Sequence, residues 1–425
     1  MHTFWKALGV ALVSLALWGC GGQPQSASGT QAEAQEAQAE AVKSTTPAPS
    51  GKRPFITKWK GMAGQTIEFP IIGMYTLTWY NETTPNDRHT EQVSVSVKID
   101  KDGLELVAPY VFTPPTDGVY VVEAGPEGVE GIVPYSSDAK GRLLTEVVQF
   151  GDVRWRRLAH AFQNCKNMHF AAGIDTPDLS QCTSLAGMFA GCETFNALLE
   201  DWDVSHVTDL SGMFLGCAHF NSPLAAWNVS QVENMGSMFH TCSSFNQPLG
   251  GWNVSRVKNM EQMFFQCYEF NQPLAQWNVG QVTQMNSMFE GCLAFNQPLE
   301  AWDISHVTTT NGMFGNCQDF NQPLAGWDVS QVQDMKGMFA DCKVFNQPLV
   351  GWNVSKVRDM SYMFCRCISF NQSLERWDVS NVTEMGYIFL FCPAGKLPFT
   401  EQWKTQGANL NTEAEEKKVL EEEGV

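Results

Sequence analysis

Cysteine recurs every 25 residues at Cys192, Cys217, Cys242, Cys267, Cys292, Cys317, Cys342, Cys367 and Cys392. Stacked at one strand spacing, about 4.8 Å, such residues fall within the Cα separation that a disulfide spans. A cysteine at the end of an apolar face also behaves as a small hydrophobe. A column of nine cannot pair completely, so reduced, buried thiols are expected. Cys365 stands off the column. Its equivalents are Leu215, His240, Phe265, Glu290, Gly315 and Ala340, a variability that marks a partly exposed position and a candidate reactive thiol.

Two further sets have the right residue types for chemistry. His160, Cys165, His169 and Cys182 are zinc-ligand types, but Cys165 sits in register with the cysteine column and Cys182 with Val207 and Val232. Asp203, Asp303, Asp328 and Asp378 form a periodic carboxylate row suited to calcium or to paired-acid glycan cleavage. That row exchanges freely with Asn228, Asn253, Asn278 and Asn353. Asn makes the same local hydrogen bonds without the charge, so a turn or cap role is expected. No catalytic residue, metal or cofactor is expected, and the chain reads as a non-enzyme.

The elements that hold these rows follow from the same period. Trp202, Trp227, Trp252, Trp277, Trp302, Trp327, Trp352 and Trp377 also recur every 25 residues, which reads as a repeat solenoid. Val207, Leu210, Met213, Phe214 and Cys217 follow helical spacing. Ser205 stands before them as an N-cap, and Ser230 with Glu233 has the capping-box spacing. A short helix of about ten to twelve residues, too short to stand alone, is therefore expected in each unit. An extended strand is expected over the Phe-Asn-Gln-Pro-Leu segment. The Asn row from Asn196 to Asn371 is expected to satisfy backbone groups between units. The Trp row suits either a core or a sugar-stacking surface, and spacing alone does not separate the two. The varying positions, 200–201, 206, 208–209, 211–212, 218–219 and their equivalents, are left for recognition, with Tyr268, Tyr362 and Tyr387 as contact aromatics.

The remainder divides into clear compositional zones. Residues 1–19 have a charged start at Lys6, an apolar run from Ala7 to Leu17 and Gly19 before Cys20. This is the layout of a cleaved export signal. Residues 20–52 are rich in Gln, Ala, Glu, Ser, Thr and Pro and read as a disordered tether. Residues 53–150 alternate apolar and polar in short runs, as a small all-β sandwich does. The repeats occupy 151–399, and 400–425 form an acidic tail. A net charge of −18 without a basic stripe excludes nucleic acid as a partner.

Three resemblances sharpen these expectations. The string FNQPLxxWDVSxVxxMxxMFxxC resembles the repeat of BspA-like bacterial surface proteins, a branch of the leucine-rich-repeat class. Leu17-Trp18-Gly19-Cys20 resembles a bacterial lipobox, which would make Cys20 the acylated first residue of the mature protein. YTLTWYN and TDGVYVVEA resemble polycystic-kidney-disease-type immunoglobulin-like modules. Together they imply an α/β leucine-rich-repeat-like solenoid of 25-residue coils behind a β-sandwich, lipid-anchored at the outer membrane or cell surface. Its partners would be the membrane, through that lipid, and a protein or glycan ligand of unknown identity.

Overall fold

The structure, a computed structural model, describes residues 51–99, 105–135, 137–405 and 410. The export signal, Cys20, most of the tether and nearly all of the tail beyond Thr405 lie outside the described residues.

The N-terminal strands are β1 (Phe55–Gly61), β2 (Ile67–Phe69), β3 (Ile71–Asn81), β4 (His89–Val95), β5 (Val97–Ile99), β6 (Glu105–Val107), β7 (Tyr110–Phe112), β8 (Gly118–Ala124), β9 (Val129–Ile132) and β10 (Leu144–Gln149). A one-turn helix, α1 (Asp138–Gly141), precedes β10, and β11 (His169–Phe170) follows it. One sheet runs β11-β10-β1-β8-β3-β4, with β9 also paired to β3. Alternation explains its inner face: in β1, Phe55, Thr57, Trp59 and Gly61 are buried while the residues between them are not. The second layer is the β2–β7 ribbon. Phe69 meets Trp59 edge-on at 5.2 Å, and Phe112 packs on Trp79 at 4.5 Å.

No linker separates this module from the repeats. Strand β11 belongs to the first repeat yet pairs in parallel with β10, matching Glu146 to His169. Phe150 lies 5.4 Å from Phe170 and 5.5 Å from Trp202, and Phe55 meets Trp155 edge-on at 5.0 Å. The expected boundary at 150/151 thus falls inside a shared core. Asp175 accepts both the Phe150 and Gly151 N–H groups and pairs with Arg53 at 3.1 Å.

Within the repeats, residues 25 apart are parallel bridge partners, running Ser184, Asp209, Asn234, Asn259, Gln284, Thr309, Asp334, Asp359 and Glu384. The expected helix is replaced by turns. The N–H groups of Leu210, Gly212, Phe214 and Gly216 donate to carbonyls of Asn234, Gly236, Met238 and His240 in the next repeat, at 2.8–3.0 Å. The N–H groups of Met213, Leu215 and Cys217 donate locally, to Leu210, Gly212 and Phe214. Every second donor is thereby committed between repeats, and an α-helix, which needs each N–H for its own i−4 carbonyl, cannot form. Left-handed backbone recurs at two sites per repeat, as at Gly212 (φ 58°) and Gly216 (φ 76°), and is imposed on Tyr362 and Arg366 at the equivalent positions. The Phe-Asn-Gln-Pro-Leu segment forms no strand; inter-repeat pairing sits in the row of Asp209 instead.

The far end is covered by α2 (Phe399–Thr405), whose Trp403 stacks on Trp377 at 6.0 Å. Thr400 and Trp403 are buried, so residues 400–405 close the repeat core and are not part of a solvated tail.

Candidate functional site

Each invariant row has a structural use. The Trp rings are 1–5% exposed and stack in parallel, as at 6.5 Å between Trp252 and Trp277. From Trp227 onward each Nε1–H is also spent, Trp277 donating to the Leu249 carbonyl of the preceding repeat at 3.0 Å. This excludes a sugar-stacking surface for the row. All twelve described cysteines are buried, and none is paired in a disulfide. From Cys192 onward, the column thiols donate to a preceding Phe carbonyl, as Cys267 does to Phe239 at 3.0 Å. Burial raises these thiols well above their usual range, which keeps them protonated as donors and poor nucleophiles.

The Asn row fulfils its expected role: Asn246 Oδ1 accepts the Asn271 N–H at 3.0 Å, and Gln272 Nε2 donates to the same oxygen. The Asp row forms local turns. Asp203 Oδ1 accepts the Ser205 N–H at 3.0 Å, and hydrogen bonding from Ser205 holds the carboxyl below its usual value. Ser205 is therefore the donor of an Asx turn and not an N-cap. Of the proposed zinc types, Cys165 and Cys182 are core residues, while His169 faces Glu146 at 3.8 Å. Among the described residues no group of three or more His, Cys, Asp or Glu side chains is placed to hold a metal ion.

Cys365 departs from expectation. It is 0% exposed, packed with Ala340 and Leu390 beneath Tyr362, Tyr387 and Phe391. The row of Leu215 is a second, outer line of packing, and its variability reflects different fillings of that line. His240 and Glu290 put polar atoms into it without partners at His240 Nδ1 and Glu290 Oε2. Burial lowers the His240 imidazole to about 4 and raises the Glu290 carboxyl to about 7. Near the C-terminal end Tyr362 and Tyr387 stack at 5.2 Å, and Arg366 pairs with Asp341 while lying over the Phe391 ring. Ile368 (59%) and Val344 (42%) are exposed on the same repeats.

A second feature was not legible in the sequence. Between the β-module and the first repeats lies an open, polar groove of about 980 Å³. The module contributes Lys52, Arg53 and Glu130; the repeats contribute Asp152, Arg154 and Arg156. The alternation of Asp152, Arg154 and Arg156 with buried Val153 and Trp155 is the signal that could have exposed it.

A family model described as "Mycoplasma protein of unknown function, DUF285" matches residues 156–268, 249–352 and 299–403, which together cover more than half of the chain. The chain belongs to this family. The DUF285 matches begin just inside the first repeat and end within α2, so they coincide with the stacked units and leave the β-module outside. No curated protein and no solved structure matches the chain.

Proposed function

We propose that this DUF285 protein is a non-catalytic, lipid-anchored surface protein of the BspA-like kind, a repeat solenoid displayed on a β-module to bind a protein or glycan. One observation carries the reading: the invariant side chains are used up inside the stack. Trp, Cys and Phe fill the core, and Asn, Gln and Asp bind neighbouring backbone. Apart from the packed row of Leu215, what differs from repeat to repeat is left at the surface, including His206, Arg256, Lys356 and Arg358. A rigid frame with interchangeable outward residues is suited to recognition, with affinity set by a few anchors. The lipid attachment at Cys20 rests on the sequence alone.

Protease shaving of intact cells tests this, comparing the native protein with Cys20→Ala and with a lysed control. Cleavage of the native repeats from outside, together with release or loss of the variant, is the expected result. Cleavage only after lysis overturns surface display in favour of a periplasm-facing scaffold.

A further inference from the structure

The junction groove gathers charged side chains from both units. Its cations are mostly committed: Arg53 is held by Asp152 at 2.9 Å and by Asp175 at 3.1 Å, and Lys52 pairs with Glu127 at 3.2 Å. Arg154 keeps a looser contact with Asp178 at 3.8 Å. Arg156 has no ion-pair partner among the described residues. Its backbone is fixed nonetheless, because its N–H donates to the Glu130 carbonyl at 3.0 Å. The Glu130 carboxylate, on the strand beside it, is likewise without an ion-pair partner among the described residues.

We propose that this groove binds an acidic saccharide, with a uronate carboxylate received by Arg156 and Arg154. The assignment rests on the binding function proposed above and names its ligand class. A guanidinium fork receives a carboxylate through two parallel N–H···O bonds. The Glu130 carboxylate offers only acceptors, and a hydroxyl-rich ligand supplies the donor it lacks. Thr176 and Gln181 extend the hydrogen-bonding wall, and none of the lining residues is aromatic, so the site favours a polar ligand over an apolar peptide side chain. The lining segments are tied together through their backbones, Gly131 bridging to Arg157 and Arg154 to Asp178, which limits the ordering cost of binding.

Calorimetric titration of the full chain in detergent with a short oligogalacturonate, its neutral oligogalactose counterpart, and a peptide with a free C-terminal carboxylate tests the proposal. Saturable binding of the oligogalacturonate is expected, about tenfold or more tighter than the neutral sugar. Arg156→Gln should weaken it by about the same factor with unchanged melting temperature, and Lys404→Gln, in α2 at the far end of the repeats, should leave it unaltered. Equal affinity for the neutral sugar, preference for the peptide, no binding, or indifference to Arg156→Gln overturns the assignment. The result is independent of surface shaving: a displayed protein with an inert groove and a sugar-binding protein facing the periplasm give opposite patterns in the two experiments.

Discussion

Replacing Glu290 by Gln should make the middle of the repeat stack more stable, by an amount that grows from about pH 4.5 to about pH 7 and is constant above. The carboxyl is 4% exposed and its Oε2 lacks a partner. A Cβ added at Gly312 would come within 2.8 Å of that oxygen, so the absence of a side chain there makes room for it. The titratable groups nearest in register are the Cys292 and Cys317 thiols, which the Glu290 charge raises further. Burial lifts Glu290 from 4.5 to about 7, with a Ser287 hydrogen bond working against the lift. For an acid whose folded value is raised, full stability holds below the unfolded value and declines as pH rises through the interval up to the folded value. At about 1.4 kcal/mol per pH unit the loss totals about 3 kcal/mol above neutrality. The carboxamide carries no charge, so Glu290→Gln should match the native protein near pH 4.5 and exceed it by about 3 kcal/mol at pH 8. Repeat arrays open locally, so the assay is native-state hydrogen exchange of the amides of residues 287–316 across that pH range. A difference between the proteins that does not change with pH refutes the reasoning.

Gly212→Ala separates turn from helix: an exposed helical site would gain up to about 1 kcal/mol, whereas left-handed backbone should lose about 1–2 kcal/mol, read as a shift in denaturation midpoint. Trp277→Ala should cost about 3–5 kcal/mol, and exchange protection should fall in the flanking repeats that contribute Trp252 and Trp302 as well as in its own. A loss confined to the mutated repeat would contradict the continuous Trp stack.

Much of the stack is legible because the 25-residue period is a symmetry, and a position that recurs in type must recur in environment. The Asx turns could be read from local hydrogen-bonding chemistry, since Asp and Asn bind backbone two residues away in any fold, and the Asn row from its recurrence at every repeat. The helix could not be decided this way. Apolar residues at 207, 210, 213, 214 and 217 fit a helix and a chain of three-residue turns equally well. What separates them is whether N–H groups turn back on their own chain or reach the next repeat, a tertiary choice. Glycines at 187, 191, 212 and 216 were the available sign, because paired glycines four apart favour left-handed turns over helix. The Cys365 environment was misread for a related reason: variability marks the surface only where no second layer packs over it. The groove depends on residues far apart in sequence, Lys52, Glu130 and Arg156, that only the fold brings together. Sequence alone determined the repeat, its period and its buried rows, because these follow from periodic side-chain chemistry. Tertiary structure alone decided the turn geometry, the fusion of the two units and the groove between them, because each depends on hydrogen bonds and charges brought together across the fold.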